Sequence, residues 1–434
     1  MSNKVVFSDN PQELQTQIFG SYANQTKAIQ TDIYGNLLTT GASPDGSGNP
    51  YSVPVTAIYD VRATNLTPMA GWSFNYTINT QFINTIKTTN AGINQSNNMA
   101  VLNTSANPNE NAQILTRKML RCIPGLGSLV RFDAIFTTGV ANSEQIIGLG
   151  NDQNGFYFGY NGSDFSILNL TNSTKFWTKQ SDWNVDKMNG SGTSGMTLDT
   201  TKGNIYIIEF QWGTFGLVNF YILSTVTGLP ILVNKIEFPN TSTSPLLFID
   251  TLPLSAKVSN TTNASNVILK TSTAMAICEG DPSTQSLRTR NSISAANTSA
   301  TLANQHILSI RNVTTFNGKT NNTNVRLDFI STSNDGNKTT TYNLIRNASF
   351  TVTPTYTPVN ATLSVIEYNN TSTTNVTAGT GFQVFSFVCP KASGSQLFIT
   401  SLNVNLAPNE SLTIAGTTTT STEIDVSFSW EEEW

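Results

Sequence analysis

Apolar residues along this chain fall at every second position in short runs, and the runs are parted by glycine, proline, asparagine and serine. The densest run is "YIIEFQWGTFGLVNFYIL", Tyr206 to Leu223. About 18 mostly apolar residues can cross a bilayer as a helix, but Glu209, Gln211 and Asn219 are spread through this run and Gly213 and Gly216 break its centre. Aromatic and β-branched side chains fill both halves, as strands require. Tyr206, Ile208, Phe210 and Trp212 share one face of the first half, with Ile205, Ile207, Glu209 and Gln211 on the other. In the second half Val218, Phe220 and Ile222 oppose Leu217, Asn219 and Tyr221. This period-2 pattern predicts a β-hairpin turning at Gly213 to Gly216, with one apolar face that needs a second sheet to cover it.

The same reading applied along the chain predicts strands at "LVRFDAIFTT", "EQIIGLGN", "GFYFGYNG" and "DFSILNL" before the hairpin. After it comes "TVTGLPILVNKIEF", with Leu232, Ile236 and Phe238 on one face. No helical period is sustained in residues 61–282, and the strand spacing predicts an antiparallel sandwich. Its strand order is similar to that of laminin-G and concanavalin-like jelly rolls. Residues 283–305 lose the apolar runs and read as a linker or strand-poor crossover. Residues 306–434 regain them in "HILSIRNVTTF", "NVRLDFISTS", "TTYNLIRNASF", "LSVIEYN", "FQVFSFVCP", "SQLFITSLNVNL", "ESLTIAG" and "TEIDVSFSW", enough for a second sandwich. Residues 1–60 are too thinly apolar for a core and read as an extended arm, with "KVVF" and "DIYGNLL" available to add to a neighbour's sheet. The expected fold class is therefore all-β: an N-terminal arm, a jelly roll and a C-terminal β-sandwich.

Composition narrows the function. Only 12% of the 434 residues are charged, against roughly 25% in an ordinary soluble domain. The net charge of −4, from 23 basic and 27 acidic residues, gives no field for nucleic acid, and no basic run occurs. The start "MSNKVVFSDNPQELQ" lacks the order of a secretory signal, so assembly without classical export is expected. Cys122, Cys278 and Cys389 are too dispersed for a metal site and read as buried thiols. One histidine, His306, leaves no room for a multi-histidine zinc centre. No cofactor and no membrane insertion are expected.

"FDAIFTTGVANSEQIIGLGNDQNGFYFGYNGSDFSIL", together with "WNVDKMNGSGTSGMTLDTTKGNIYIIEFQWGTFGLVNFYI", resembles a domain of structural and fibre-like proteins of tailed phages and large DNA viruses. "IRNVTTFNGKTNNTNVRL", with "LNVNLAPNESLTIAGTTTTSTEIDVSFSWEEEW", resembles the C-terminal module that accompanies it. The resemblance spans most of residues 130–434 and implies a non-enzymatic virion component that assembles with copies of itself and neighbouring virion proteins. The alternatives are a glycan-binding adhesin for host attachment, or a subunit of a cellular surface filament.

Candidate chemistry is sparse. "GLGNDQNG" sets Asn151 and Asp152 in a loop where calcium is conceivable, but it lacks the acidic ladder of a calcium-binding loop, and a plain turn is the better reading. Trp177 and Trp183, in "KFWTKQSDWNVDKMNG", fall in a loop-rich stretch. There they could stack on sugar rings while Asp182 and Asn184 bind hydroxyls, or plug one end of the sandwich. The glutamates of "SWEEEW" point in different directions on a strand, which does not suit a hydrolytic pair, and read as a solvated or partner-facing tail.

Overall fold

The computed structural model describes residues 19–22, 25–28, 65–211, 215–281, 288–300, 304–371, 374–399, 404–420 and 422–433. The chain divides into two units, Met1–Ala63 and Thr64–Trp434. In the first, Phe19–Tyr22 pairs antiparallel with Gln25–Ala28. "KVVF" and "DIYGNLL", on which the arm reading rests, lie outside the described residues.

In the second unit, two antiparallel sheets enclose an aromatic core. One sheet orders Thr174–Lys179, Asp164–Thr171, Gly155–Asn161, Ser143–Gly150, Leu254–Asn260, Asn111–Thr116 and Ile83–Lys87. The other orders Pro230–Ile236, Val218–Leu223, Asn204–Phe210, Gly127–Phe136, Ile268–Thr271, Met99–Asn103 and Gly92–Ser96. Thr273–Glu279 also pairs with Gly127–Phe136, and Leu66–Ser73 pairs with Thr273–Glu279. Repeated crossing between two antiparallel sheets makes this a jelly roll.

The hairpin forms as its alternation requires. Tyr206, Ile208 and Phe210 lie opposite Ile222, Phe220 and Val218, and all six are buried. Phe158, from the facing sheet, reaches into their midst, 4.9 Å from the Tyr206 ring and 5.5 Å from that of Phe220. Tight turns are set by asparagine: Asn97 and Asn98, with φ of 52° and 60°, join Gly92–Ser96 to Met99–Asn103 in the two-residue turn that matches strand twist.

One expected face is corrected. Phe220 pairs with Asn234 and Tyr221 with Leu232, so Val233 is an extra, bulged residue. Val233 therefore enters the core, together with partly buried Ile231, Ile236 and Phe238, and Leu232 does not.

Residues 288–433 build a second sandwich with its own, mostly aliphatic core. One sheet orders Arg288–Ala300, Thr422–Glu433, Asn324–Asn334 and Ser393–Phe398, with Asn405–Leu406 added to Asn324–Asn334. The other orders Thr357–Pro358, Ile366–Asn369, Gln305–Asn312, Ser411–Thr417, Thr340–Arg346 and Phe382–Cys389.

Two expectations fail here. The stretch expected to be a linker contains the strand Arg288–Ala300, because its small polar residues gain pairing and an apolar face from Thr422–Glu433. The expected acidic tail is that central strand. Glu431 lies directly between Arg290 and Arg326 on the flanking strands, bonded to them at 2.7 and 3.2 Å, with Arg288 also at 3.2 Å. Glu432, on the opposite face, is fully buried and accepts from Asn291, Ser364, the Val365 amide and the Trp430 indole.

Cys122, Cys278 and Cys389 are buried and free, as expected. Burial pushes the Cys122 thiol up to about 12 and that of Cys278 to about 11, so neither ionises near neutral pH.

Candidate functional site

A groove of about 910 Å³ opens on the outer face of the sheet that holds the hairpin. Its floor comes from three neighbouring strands. Arg131 and Asp133 share the outward face of Gly127–Phe136, Ile205 lies opposite Asp133, and Met275 lies opposite Arg131. Gly71 borders the floor because only glycine fits there: a Cβ would stand 2.7 Å from the Ala274 carbonyl and 2.9 Å from the Met275 sulfur.

The wall is the segment after Leu66–Ser73. Trp72 and Phe74 turn into the core, whereas Tyr76 is 94% exposed and Phe82 is 59% exposed. Tyr76 and Phe82 both line the groove and leave large aromatic surface open to it.

Charge in the groove is unbalanced. Asp133 is the one carboxylate among the described lining residues, and its oxygens accept from the Ser272 amide at 2.5 Å, the Ser272 hydroxyl, and the Thr273 amide and hydroxyl at 3.0 and 2.8 Å. It is spent on the turn between two strands. The Arg131 guanidinium is exposed and has no hydrogen-bond or ion-pair partner among the described residues. The groove therefore offers apolar and aromatic faces, one uncommitted cation, and the amides of Asn75 and Asn79.

The residues expected to contact glycan do not assemble. Trp183 is 1% exposed and packs edge-on against Phe158 and Phe165, which fits the plug reading and removes it from stacking. The 3-10 turn Gln180–Asp182 reverses the chain and sends Trp183 inward. Trp177 lies on a strand, Thr174–Lys179, and half-buries itself against Ile146, Tyr157, Leu168 and Leu170 on the outer face of its own sheet. The Asn184 amide is occupied, donating to the Lys235 carbonyl at 2.8 Å and accepting from its N–H at 2.9 Å. Asp182 is exposed and accepts from Ser181. Tyr76, Phe82, Arg131 and Met275 were not legible as a group, because three distant segments supply them.

The remaining candidates resolve as structural. Asn151 accepts from the Gln153 and Asn154 amides, and Asp152 pairs with Lys257 at 3.0 Å, so "GLGNDQNG" forms a plain turn. Among the described residues no three His, Cys, Asp or Glu side chains gather as a metal site. His306 is buried, its Nε2 2.8 Å from the equally buried Ser309 hydroxyl, which in turn contacts Thr413 at 2.7 Å. Both side chains are closed off from solvent.

No protein-family model matches the sequence, and no curated protein matches it. Solved structures are similar to about half of the chain. An endo-acting O-glycanase of the human gut microbiota aligns at 11% identity over 49% of this chain and 99% of its own, with a TM-score of 0.35. A beta-1,3-glucanase from Mycobacterium marinum aligns at 10% identity over 48% and 98%, with a TM-score of 0.32. Lectin I-B4 from Griffonia simplicifolia aligns at 9% identity over 48% and 99%, with a TM-score of 0.31. Likeness at this level carries no argument about ligand or reaction.

Proposed function

We propose that this chain is a structural display protein of a particle surface, of the virion or fibre kind, whose jelly roll presents a carbohydrate-binding groove. The observation that carries the recognition half is the groove at Tyr76, Phe82 and Met275, where exposed flat apolar faces stand beside Arg131 and side-chain amides. Pyranose rings present C–H faces to aromatic surface and hydroxyls to such polar groups. The virion setting is supported by the sequence resemblance over residues 130–434. The non-enzymatic reading is supported by the single carboxylate among the groove's described residues, since glycoside hydrolysis ordinarily uses a pair.

Assembly with other copies is supported by one side of the C-terminal sandwich. Phe382–Cys389 and Ser393–Phe398 end their two sheets without a charged residue, and Phe382, Val388 and Phe398 are exposed. An edge with neither charge nor proline can accept another strand.

A glycan array probed with the full chain tests recognition. Binding is expected for the wild type and is lost in the double variant Tyr76→Ala, Phe82→Ala at unchanged melting temperature. Absence of binding by the wild type would remove the recognition half. Immuno-electron microscopy of particles tests the setting.

A further inference from the structure

A second opening, of about 430 Å³, lies between the two sandwiches. The jelly roll contributes Asn84 and the loop Asn151 to Gln153; the C-terminal sandwich contributes Thr314, Thr320 and Asn322. The loop "GLGNDQNG", weighed above for calcium, and "FNGKTNNTN", part of the segment that carries the C-terminal resemblance, therefore meet across this cleft.

The charges at its border are already satisfied within the protein. Arg117 crosses between the sandwiches to Glu410 at 2.8 Å and donates to the Thr80 carbonyl at 2.8 Å. Asp152 is held by Lys257 at 3.0 Å. The neutral groups are not. The side-chain amides of Asn84, Gln153 and Asn322 and the hydroxyls of Thr314 and Thr320 have no partner among the described residues. The Asn322 Nδ2 is closed off from solvent in this conformation and has no acceptor among the described residues, which costs free energy. Met119 and Pro408 supply apolar patches between these groups.

We propose that this cleft is a saccharide site separate from the groove, and that it takes a short, neutral oligosaccharide. Amide and hydroxyl side chains pair with sugar hydroxyls in both donor and acceptor senses. Among the described residues the paired border charges leave no uncommitted cation to select an anion, in contrast to Arg131 in the groove. The volume falls within the range of small-ligand sites, about 300–1,000 Å³, and such sites favour boundaries between domains. The site is complete only when both sandwiches are present. It uses none of the groove residues and stands independently of the proposed groove function.

Isothermal titration of the full chain with maltotriose, cellotriose and triacetylchitotriose, and with trigalacturonate as the anionic control, is the test. At least one neutral trisaccharide is expected to bind with one site per chain, more tightly than trigalacturonate. The double variant Gln153→Ala, Asn322→Ala should weaken that binding tenfold or more. Tyr76→Ala, Phe82→Ala should leave it unchanged, which separates this site from the groove. Asn84→Ala with Thr320→Ala removes exposed, unpartnered side chains and guards against a folding artefact; it too should weaken binding at unchanged melting temperature. The proposal is overturned if the wild type binds none of the neutral trisaccharides at millimolar concentration, or if the cleft variants bind as well as the wild type.

Discussion

The jelly roll and the C-terminal sandwich reach the same layered form with different interiors. In the jelly roll, rings do the filling: Phe132, Phe136, Phe156, Phe158, Phe165, Tyr206, Phe210, Phe220 and Trp183 belong to one core. In the C-terminal sandwich the core is mostly Ile, Leu and Val, and the central strand also carries two buried carboxylates on its opposite faces, Glu431 and Glu432. Apolar volume tolerates a change of pH. A carboxylate pinned by guanidinium groups, as Glu431 is, does not, so chemistry should take the two halves apart in different ways.

The largest effect is expected from Phe220→Asp. It would bury an unpaired charge against Phe156 and Phe158, a loss exceeding about 4 kcal/mol and enough to unfold the jelly roll. Near-ultraviolet circular dichroism checks it, and a cooperatively folded variant with wild-type melting would contradict the aromatic-core account.

Next comes Glu432→Ala, which strips four donors of their acceptor and should cost about 3 kcal/mol. Trp430 fluorescence should report the loss first, because its indole donates to Glu432.

Acid should produce a smaller change in the same sandwich. Burial by itself would raise the Glu431 carboxyl, but the hydrogen bond from Arg290 and the charges of Arg326, Arg288 and Arg290 outweigh it and hold the group below its usual range. A depressed folded-state value means that the stabilisation is fully present above the unfolded value of about 4.3. It is lost as pH falls through the folded one. The jelly roll also has held-down carboxylates, Glu110 and Asp186, but these tie loops, whereas Glu431 ties three strands. A thermal scan series from pH 6 to pH 2 should therefore show Trp430 losing its native signal before the jelly-roll tryptophans. The reverse order would break the comparison.

The smallest expected change is that of Tyr76→Ala, with folding stability unaltered to within about 0.5 kcal/mol because the side chain is 94% exposed. Chemical denaturation measures it. A larger loss would mean that the groove wall supports the fold and is not free for a ligand.

Legibility in the sequence follows the same division. Strands with an apolar face of their own, such as Asp164–Thr171 and Val218–Leu223, stand out by alternation alone. Arg288–Ala300 does not, because among its described side chains, 288–296, only Ile293 and Ala295 meet the core, and the strand is held by its pairing with Thr422–Glu433. The buried carboxylates at the end of "SWEEEW" were hidden for a related reason: what pins them lies on strands far away in sequence. The bulge at Val233 defeats a strict parity count. Neither opening could be read from local pattern, since each is assembled from segments that only the fold brings together.

The position of Thr422–Glu433 has a consequence for biosynthesis. Arg288 and Glu431 are 143 residues apart along the chain, and Arg288–Ala300 and Asn324–Asn334 both pair with the strand that contains Glu431. Translation delivers those two flanking strands long before the one that joins them. While the ribosome works through the intervening residues, they hold unpaired edges and exposed apolar side chains, the condition in which nascent chains aggregate or recruit chaperones. The jelly roll closes earlier, with the emergence of Thr273–Glu279. A ribosome stalled before Thr422 would thus carry one finished sandwich and one that has no way to finish, and a loss of the final strand by premature termination would be felt as a failure of the whole second half.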